Sequence, residues 1–336
     1  MTRAAVIGAG SWGTAFAQVM VDAGTETILC ARRGELAGAI NDRHENPDYL
    51  PGVRLASKLR ATADPDTALD GAQIVVLAVP SQTLRANLTD LVPLLPRDAV
   101  LVSLMKGVEL GTDKRMTEVI REVAGVPEDR VAAVSGPNLA REIACREPAA
   151  AVVACTDLEV ARQVQTACNS GYFRPYRNHD VIGVEFGGAV KNVIALAVGM
   201  AAGLGFGDNA RASLITRGLA ETARIGVTMG AEPLTFAGLA GMGDLVATCS
   251  SPLSRNRTFG EELGRGLSVD QVVAKTKQTA EGVKSCKSIL DIARNHAVAA
   301  PITEHVVKVV DGGISVPDML TSLLASAPKH EQDADV

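Results

Sequence analysis

Residues 4–13 read Ala-Ala-Val-Ile-Gly-Ala-Gly-Ser-Trp-Gly, a short apolar run that ends in Gly8-x-Gly10-x-x-Gly13 and passes straight into a helical pattern. Strand, glycine turn and helix in register predict a site for an anionic ligand. Gly8 permits the tight turn, Gly10 offers no side chain against an approaching pyrophosphate, and Gly13 lets the helix lie close to the strand. The helix start adds unpaired N–H groups and the positive end of its dipole. A dinucleotide cofactor is the implied ligand and redox chemistry the leading expectation; the alternative is a glycine-rich turn in some other α/β protein.

Outward from this turn the first half alternates strand and helix. Strands are expected at Arg3–Gly8, Thr27–Ala31, Ile74–Ala78, Val100–Ser103 and Val131–Val134, with Ala150–Ala154 and Phe173–Arg177 extending the far end. Continuous runs such as Ile74–Val79 suit a parallel sheet covered on both faces. Helices are expected at Thr14–Ala23, Gln82–Leu88, Arg115–Val123 and 158–170. From Gly183 strand signal gives way to helical periodicity broken by glycines and by Pro233, Pro252 and Pro301. The fold class is therefore α/β: a doubly wound Rossmann-type, mostly parallel sheet with a second, mostly α-helical domain. The expected boundaries are 1–180 for the dinucleotide-binding domain, 181–326 for the helical substrate-binding domain, and 327–336 for a polar, disordered tail.

Composition narrows the partners. Of 336 residues 47% are hydrophobic, enough for two cores, and a formal charge of −5 offers no basic field to nucleic acid or an anionic membrane. The apolar stretch Val193–Phe206 is shorter than the ~20 residues a bilayer span needs. A buried strand so close to the N-terminus leaves no room for a signal peptide. No two of the six cysteines have Cys-x-x-Cys spacing, so free thiols, no metal site and a reducing cytoplasm are expected.

The end of the second strand faces the adenosine ribose in such folds. Here it carries Arg32 and Arg33 with no acid until Glu35, which favours the 2′-phosphate of NADP(H) while leaving NAD(H) open. Substrate chemistry is expected past the carboxyl ends of later strands, at Lys106 and around Gly136 and Asn138. Lys191 lies in an otherwise apolar helix with Asn192 beside it; burial lowers an ammonium's pKa and suits it to proton exchange, and Gly187 and Gly188 leave that helix start open to a ligand. Asp244 and Thr248 share a helix face. Ser254-Arg255-Asn256 suits an anion. The five histidines sit in no such motif, so lysine is the better acid or base.

Taken in order, Gly8-x-Gly10-x-x-Gly13-Thr14-Ala15, Lys106-Gly107, Ser135-Gly136-Pro137, Glu185-x-x-Gly188-Ala189-x-Lys191-Asn192, Gly243-Asp244-Leu245, Ser254-Arg255-Asn256 and Ala280-Glu281-Gly282 resemble the bacterial NAD(P)-dependent glycerol-3-phosphate dehydrogenases over nearly the whole chain. That resemblance implies reduction of dihydroxyacetone phosphate to sn-glycerol 3-phosphate for phospholipid synthesis, by a cytoplasmic homodimer. It implies proton transfer by Lys191, with Lys106, Asp244, Asn192 and Thr248 around the reacting group. Substrate contacts would come from Lys106, Gly136, Asn138, Lys191, Asp244, Ser254, Arg255 and Asn256. Cofactor contacts would come from Gly8, Gly10, Ser11, Trp12, Gly13, Arg32, Arg33, Lys106, Ala140, Arg255 and Glu281. Two positions depart from the family pattern: Asn138 stands where Ser or Thr is usual, and Thr279 where valine is common. A hydroxyacid or 6-phosphogluconate-type dehydrogenase is the rival enzyme, although its asparagine follows the lysine by four positions. A nucleotide sensor that binds NADPH without turnover is the rival outside enzymes.

Overall fold

The structure is a computed structural model that describes residues 2–275 and 280–324. Thr279 and the 327–336 tail lie outside the described residues. The chain divides into two compact units. One comprises residues up to Met105 together with Met116–Val184; the other comprises Lys106–Arg115 and the chain from Glu185 onward.

The first unit is built on strands β1 (Arg3–Ile7), β2 (Glu26–Cys30), β3 (Glu45–Asn46), β4 (Leu50–Arg54), β5 (Arg60–Thr62), β6 (Ile74–Leu77), β7 (Val100–Ser103), β8 (Val131–Ser135), β9 (Ala149–Ala154) and β10 (Phe173–Asn178). Eight of them form one sheet in the order β10-β9-β8-β7-β6-β1-β2-β5. β8 and β9 run antiparallel, while the other neighbours are parallel. The order reverses at β1, the switch point beyond which ligands bind in such sheets. Alternation assigns each face its own core: Ala4 and Val6 pack with Phe16, Leu29 and Phe173, while Ala5 and Ile7 pack with Leu77, Leu101 and Ile120. β6 and β7 are buried throughout, as parallel strands covered on both faces must be.

The seven expected strands are all present, within a residue or two at either end. The antiparallel β3–β4 pair and the edge strand β5 were not expected. They are two to five residues long, carry Pro51 and Gly52, and show no alternation that would mark them. The helix expected at Thr14 starts at Ser11, so Ser11, Trp12 and Gly13 form its first turn.

In the second unit no strand follows Glu185 among the described residues. Its central element is the helix Val181–Gly203, which carries the chain across the division. At 23 residues and mean hydropathy 1.7 it is long and apolar enough to cross a membrane, yet 94% of its apolar window is buried. The expectation based on shortness is thus corrected: the helix begins well before Val193, and its burial marks it as a core helix. Two glycine pairs bring a second helix, Arg255–Gly264, against it. A Cβ on Gly199 or Gly203 would lie 2.1 or 2.2 Å from the carbonyl oxygens of Arg257 and Glu261, and one on Gly260 or Gly264 would lie 2.1 or 2.3 Å from those of Leu196 and Met200. The backbones therefore touch along two turns, which only glycine permits. The buried Glu221 accepts from the Ile302 and Thr303 N–H groups at 2.9 and 3.0 Å and so closes the start of helix Pro301–Val310. All six cysteines are free.

Candidate active site

The predicted site residues fall into two sets. Gly8, Gly10, Ser11, Trp12, Gly13, Arg32, Arg33, Gly136, Asn138 and Ala140 belong to the first unit. Lys106, Lys191, Asn192, Asp244, Thr248, Ser254, Arg255, Asn256 and Glu281 belong to the second.

In the first set the glycines shape a cradle. Gly8 has φ +112°, and a Cβ there would meet the Ala78 carbonyl oxygen at 2.5 Å; a Cβ on Gly13 would meet the Gly8 oxygen at 2.0 Å. These two permit the turn and the close helix–strand contact. Nothing lies within 4 Å of a Cβ built on Gly10, so its face is open. Gly10 caps the helix Ser11–Asp22 without a side-chain bond, which leaves its first N–H groups to a ligand. Ser11 donates to the Tyr49 carbonyl oxygen at 2.9 Å. The Trp12 Nε1 and both polar atoms of the Asn138 amide are buried and unpartnered among the described residues. Buried polar atoms ordinarily have a partner in protein, water or a ligand, so these three can accept or donate to one. The cradle therefore fits a dinucleotide. Arg32 and Arg33 are both exposed, but Arg33 is paired with the Asp48 carboxylate. The two guanidinium groups expected to act alike are thus unequal, and an anion would have to displace an acid to reach Arg33.

The second set is assembled by contacts between distant segments. Asp244, 1% exposed, opens the helix Asp244–Ser250. A π-type turn, Leu239–Gly243, precedes it and lies directly on helix Val181–Gly203: a Cβ on Gly187 would sit 2.8 Å from the Ala240 carbonyl oxygen. Gly187 is therefore inside the helix and serves this approach, which corrects the expectation that it leaves a helix start open. The approach delivers Asp244 to two ammonium groups. Lys106 Nζ bonds Asp244 Oδ2 at 2.5 Å, and Lys191 Nζ bonds Oδ1 at 2.7 Å. Lys191 also donates to Thr248 Oγ1 at 2.6 Å, and that hydroxyl donates to Asp244 Oδ1 at 3.2 Å. Among the described residues these bonds use two of the three Lys191 N–H donors. One buried carboxylate against two ammonium groups leaves the cluster cationic. Burial pushes Lys106 down to about 8, with Asp244 opposing the fall and Lys191 adding to it.

A chain of amides frames the cluster. The Gly282 N–H donates to Asn256 Oδ1 at 2.9 Å, Asn256 Nδ2 to Asn192 Oδ1 at 2.8 Å, and Asn192 Nδ2 to the Lys106 carbonyl oxygen at 3.2 Å. Asn192 and Asn256 thus position neighbouring segments, a use that residue type alone did not reveal. Ser254 caps the helix Arg255–Gly264 through its bond from the Arg257 N–H. Arg255 starts that helix and is exposed, and Glu281 starts the helix Glu281–Asn295. Sequence reasoning missed the Gly199/Gly203 and Gly260/Gly264 pairs that bring Asn256 to Asn192, although their four-residue spacing was readable.

Similarity to known proteins assigns the chain that carries these two sets of residues to a family. Residues 3–161 match the family model described as NAD-dependent glycerol-3-phosphate dehydrogenase N-terminus, and residues 180–321 match the corresponding C-terminus. The chain is 63% identical over 330 residues to the glycerol-3-phosphate dehydrogenase (NAD(P)+) of Streptomyces griseus, covering 98% of both chains. It is 61% identical to that of Thermobifida fusca, covering 99% of both. Among solved structures it resembles the glycerol-3-phosphate dehydrogenase of Coxiella burnetii, with TM-score 0.90 and 33% identity over 96% of this chain and 99% of the other. This chain belongs to the NAD-dependent glycerol-3-phosphate dehydrogenase family.

Proposed function

We propose that the chain catalyses the reversible reduction of dihydroxyacetone phosphate to sn-glycerol 3-phosphate with NAD(P)H, for phospholipid synthesis, as a cytoplasmic homodimer that binds neither nucleic acid nor membrane. The observation that carries this reading is the buried Asp244 carboxylate shared by Lys106 and Lys191. Reduction of a ketone places negative charge on its oxygen, and preorganised cations in a water-poor site are the strongest stabilisers of such charge. The relatives at above 60% identity, named for this activity, supply the substrate.

Gly8, Gly10 and Gly13 with the start of helix Ser11–Asp22 would hold the pyrophosphate, Arg32 the 2′-phosphate of NADPH, and Ser11, Trp12, Arg33, Ala140 and Glu281 further parts of the cofactor. The bound cofactor supplies the hydride that reduces the carbonyl carbon. The remaining chemistry belongs to side chains. Lys106 and Lys191 attract the carbonyl oxygen, and Lys191 gives it a proton through its remaining N–H before being reprotonated from solvent. Asp244 holds both ammonium groups against their mutual repulsion, and Thr248 fixes the rotamer of Lys191. Arg255, with Ser254 and Asn256 at the same helix start, binds the substrate phosphate. Gly136 and Asn138 receive the hydroxyl end, since the Asn138 amide has both capacities unspent.

The test is loss of NADPH absorbance on adding dihydroxyacetone phosphate, run beside NADH and with Arg32→Ala. Rapid oxidation is expected. The substitution is expected to raise the NADPH Michaelis constant roughly two- to fivefold, as for an exposed charge pair, and to leave that of NADH unchanged. Folded protein that binds NADPH and oxidises none of it overturns the reading. Light scattering that shows a monomer overturns the dimer.

A further inference from the structure

The segment Lys106–Arg115 departs from the nucleotide-binding unit and belongs to the helical one. It is a short strap closed on itself. Val108 and Arg115 form an antiparallel bridge, the Glu109 N–H donates to the Lys114 carbonyl at 2.9 Å, and the Asp113 N–H donates to Glu109 at 3.1 Å. Lys106 stands two residues before the bridge, so whatever holds Arg115 also limits where Lys106 can be.

Arg115 is held by an ion pair that the reaction does not use. Its Nη1 lies 2.8 Å from Glu185 Oε2, and the two side chains are only 12% and 6% exposed. Glu185 is on the same helix as Lys191. Its position relative to Asn192, which binds the Lys106 carbonyl, is seven residues. Seven residues are about two helical turns, or roughly 10 Å, so Glu185 and Asn192 share one face. The strap is therefore tied at both ends to a single helical face, with Lys191 beside the second tie. Ser288 adds a bond at 3.2 Å to the Glu109 carbonyl in the middle of the strap.

A buried ion pair seldom stabilises more than apolar side chains of similar volume would, but it is far more directional. Simple packing could cover the strap; it would not fix its register along the helix. We propose that the Arg115–Glu185 pair is a positioning clamp that sets the Lys106 ammonium against the Lys191–Asp244 pair, where it attracts the carbonyl oxygen while Lys191 gives the proton. This inference rests on the proposed reduction for its kinetic consequence, while its structural consequence can be read without turnover.

The experiment compares the parent with the double variant Arg115→Met/Glu185→Leu, which removes both charges of the pair together, and with Arg115→Lys, which keeps the charge and loses the fork. Each is measured for turnover, for the Michaelis constants of NADPH and dihydroxyacetone phosphate, for melting temperature, and for hydrogen exchange at the Glu109 and Asp113 amides. The expected result for the double variant is a 10- to 100-fold fall in kcat, an unchanged NADPH Michaelis constant, an unchanged melt, and at least tenfold faster exchange at the two strap amides. Arg115→Lys is expected to recover part of the kcat. Parental kcat and parental exchange in a folded double variant overturn the clamp, and so does a fall in kcat with parental exchange. If the double variant does not fold, Arg115→Lys decides alone: parental kcat and exchange overturn the clamp. If the parent itself turns over no substrate, the functional reading fails, and the exchange data still judge the clamp.

Discussion

The cofactor cradle and the lysine cluster are built in opposite ways. The cradle is made of backbone: ten consecutive residues, three of them glycines, supply its shape and its donors. The cluster is made of side chains from segments that are distant in sequence, at Lys106, Lys191 and Asp244, and its frame adds Asn256 and Gly282. A backbone site tolerates changes of side chain but not added bulk. A side-chain site fails with single atoms, because both ammonium groups there share one carboxylate.

The sharpest way to break this contrast is Lys191→Ala. Removing a proton donor that also stabilises charge should lower kcat about 1000-fold while NADPH binding, followed by fluorescence titration, stays at its parental value. Near-normal turnover would remove Lys191 from the chemistry. The matching change in the cradle is Gly13→Val. A side chain there meets the Gly8 carbonyl at 2.0 Å, and distortion of the turn by about 1–3 kcal/mol corresponds to roughly 5- to 150-fold weaker cofactor binding. The kcat at saturating cofactor should change much less. Equal losses in binding and kcat would show that the two regions do not divide the work in this way.

The smallest effect is graded by pH. Lys106 sits at about 8, below its ordinary 10.5, because burial penalises its charge. As pH rises through that value the cluster loses one of its two cations, so kcat/KM should fall about tenfold for each further unit. Residual activity of Lys106→Ala should lack this limb. Stability moves the other way. The folded chain releases this proton near pH 8 while the unfolded chain keeps it to about 10.5, so the unfolded state binds more protons between those values and this group's contribution to stability grows with pH. Parent and variant should therefore converge in stability towards the top of that window.

The same contrast explains what could be read in advance. The cradle, the central strands and the change to helices were legible because each is encoded by neighbours in sequence: a glycine spacing, apolar runs such as Ile74–Leu77, and helical periodicity from Gly183 onward. Strands β3 to β5 were not, since their pairing comes from the partners beside them and not from any alternation of their own. For the cluster, residue types and the Asp244–Thr248 spacing were readable. The sharing of Asp244 by two lysines was not, because it depends on how the Leu239–Gly243 turn lies on another helix. Asn192 and Asn256 show the limit most clearly: Asn192 was expected at the reacting group and Asn256 on the substrate, and their amides are spent largely on each other and on main chain. The pairing of Arg33 with Asp48 likewise joins residues 15 positions apart, at the two ends of a stretch that holds the helix Gly34–Arg43 and strand β3, and it depends on how that stretch folds back.

The strap has a consequence for how relatives of this chain can be recombined. Because Lys106–Arg115 sits with the later half, the chain crosses between its two units three times, and the order of residues in the sequence does not match the order of parts. A chimaera joined once near Glu185, to give one relative's helical unit another's nucleotide preference, would import a foreign Lys106, a foreign Arg115 and foreign partners for Asn192 and Ser288. Exchange that respects the molecule carries the ten-residue insert along with the C-terminal half.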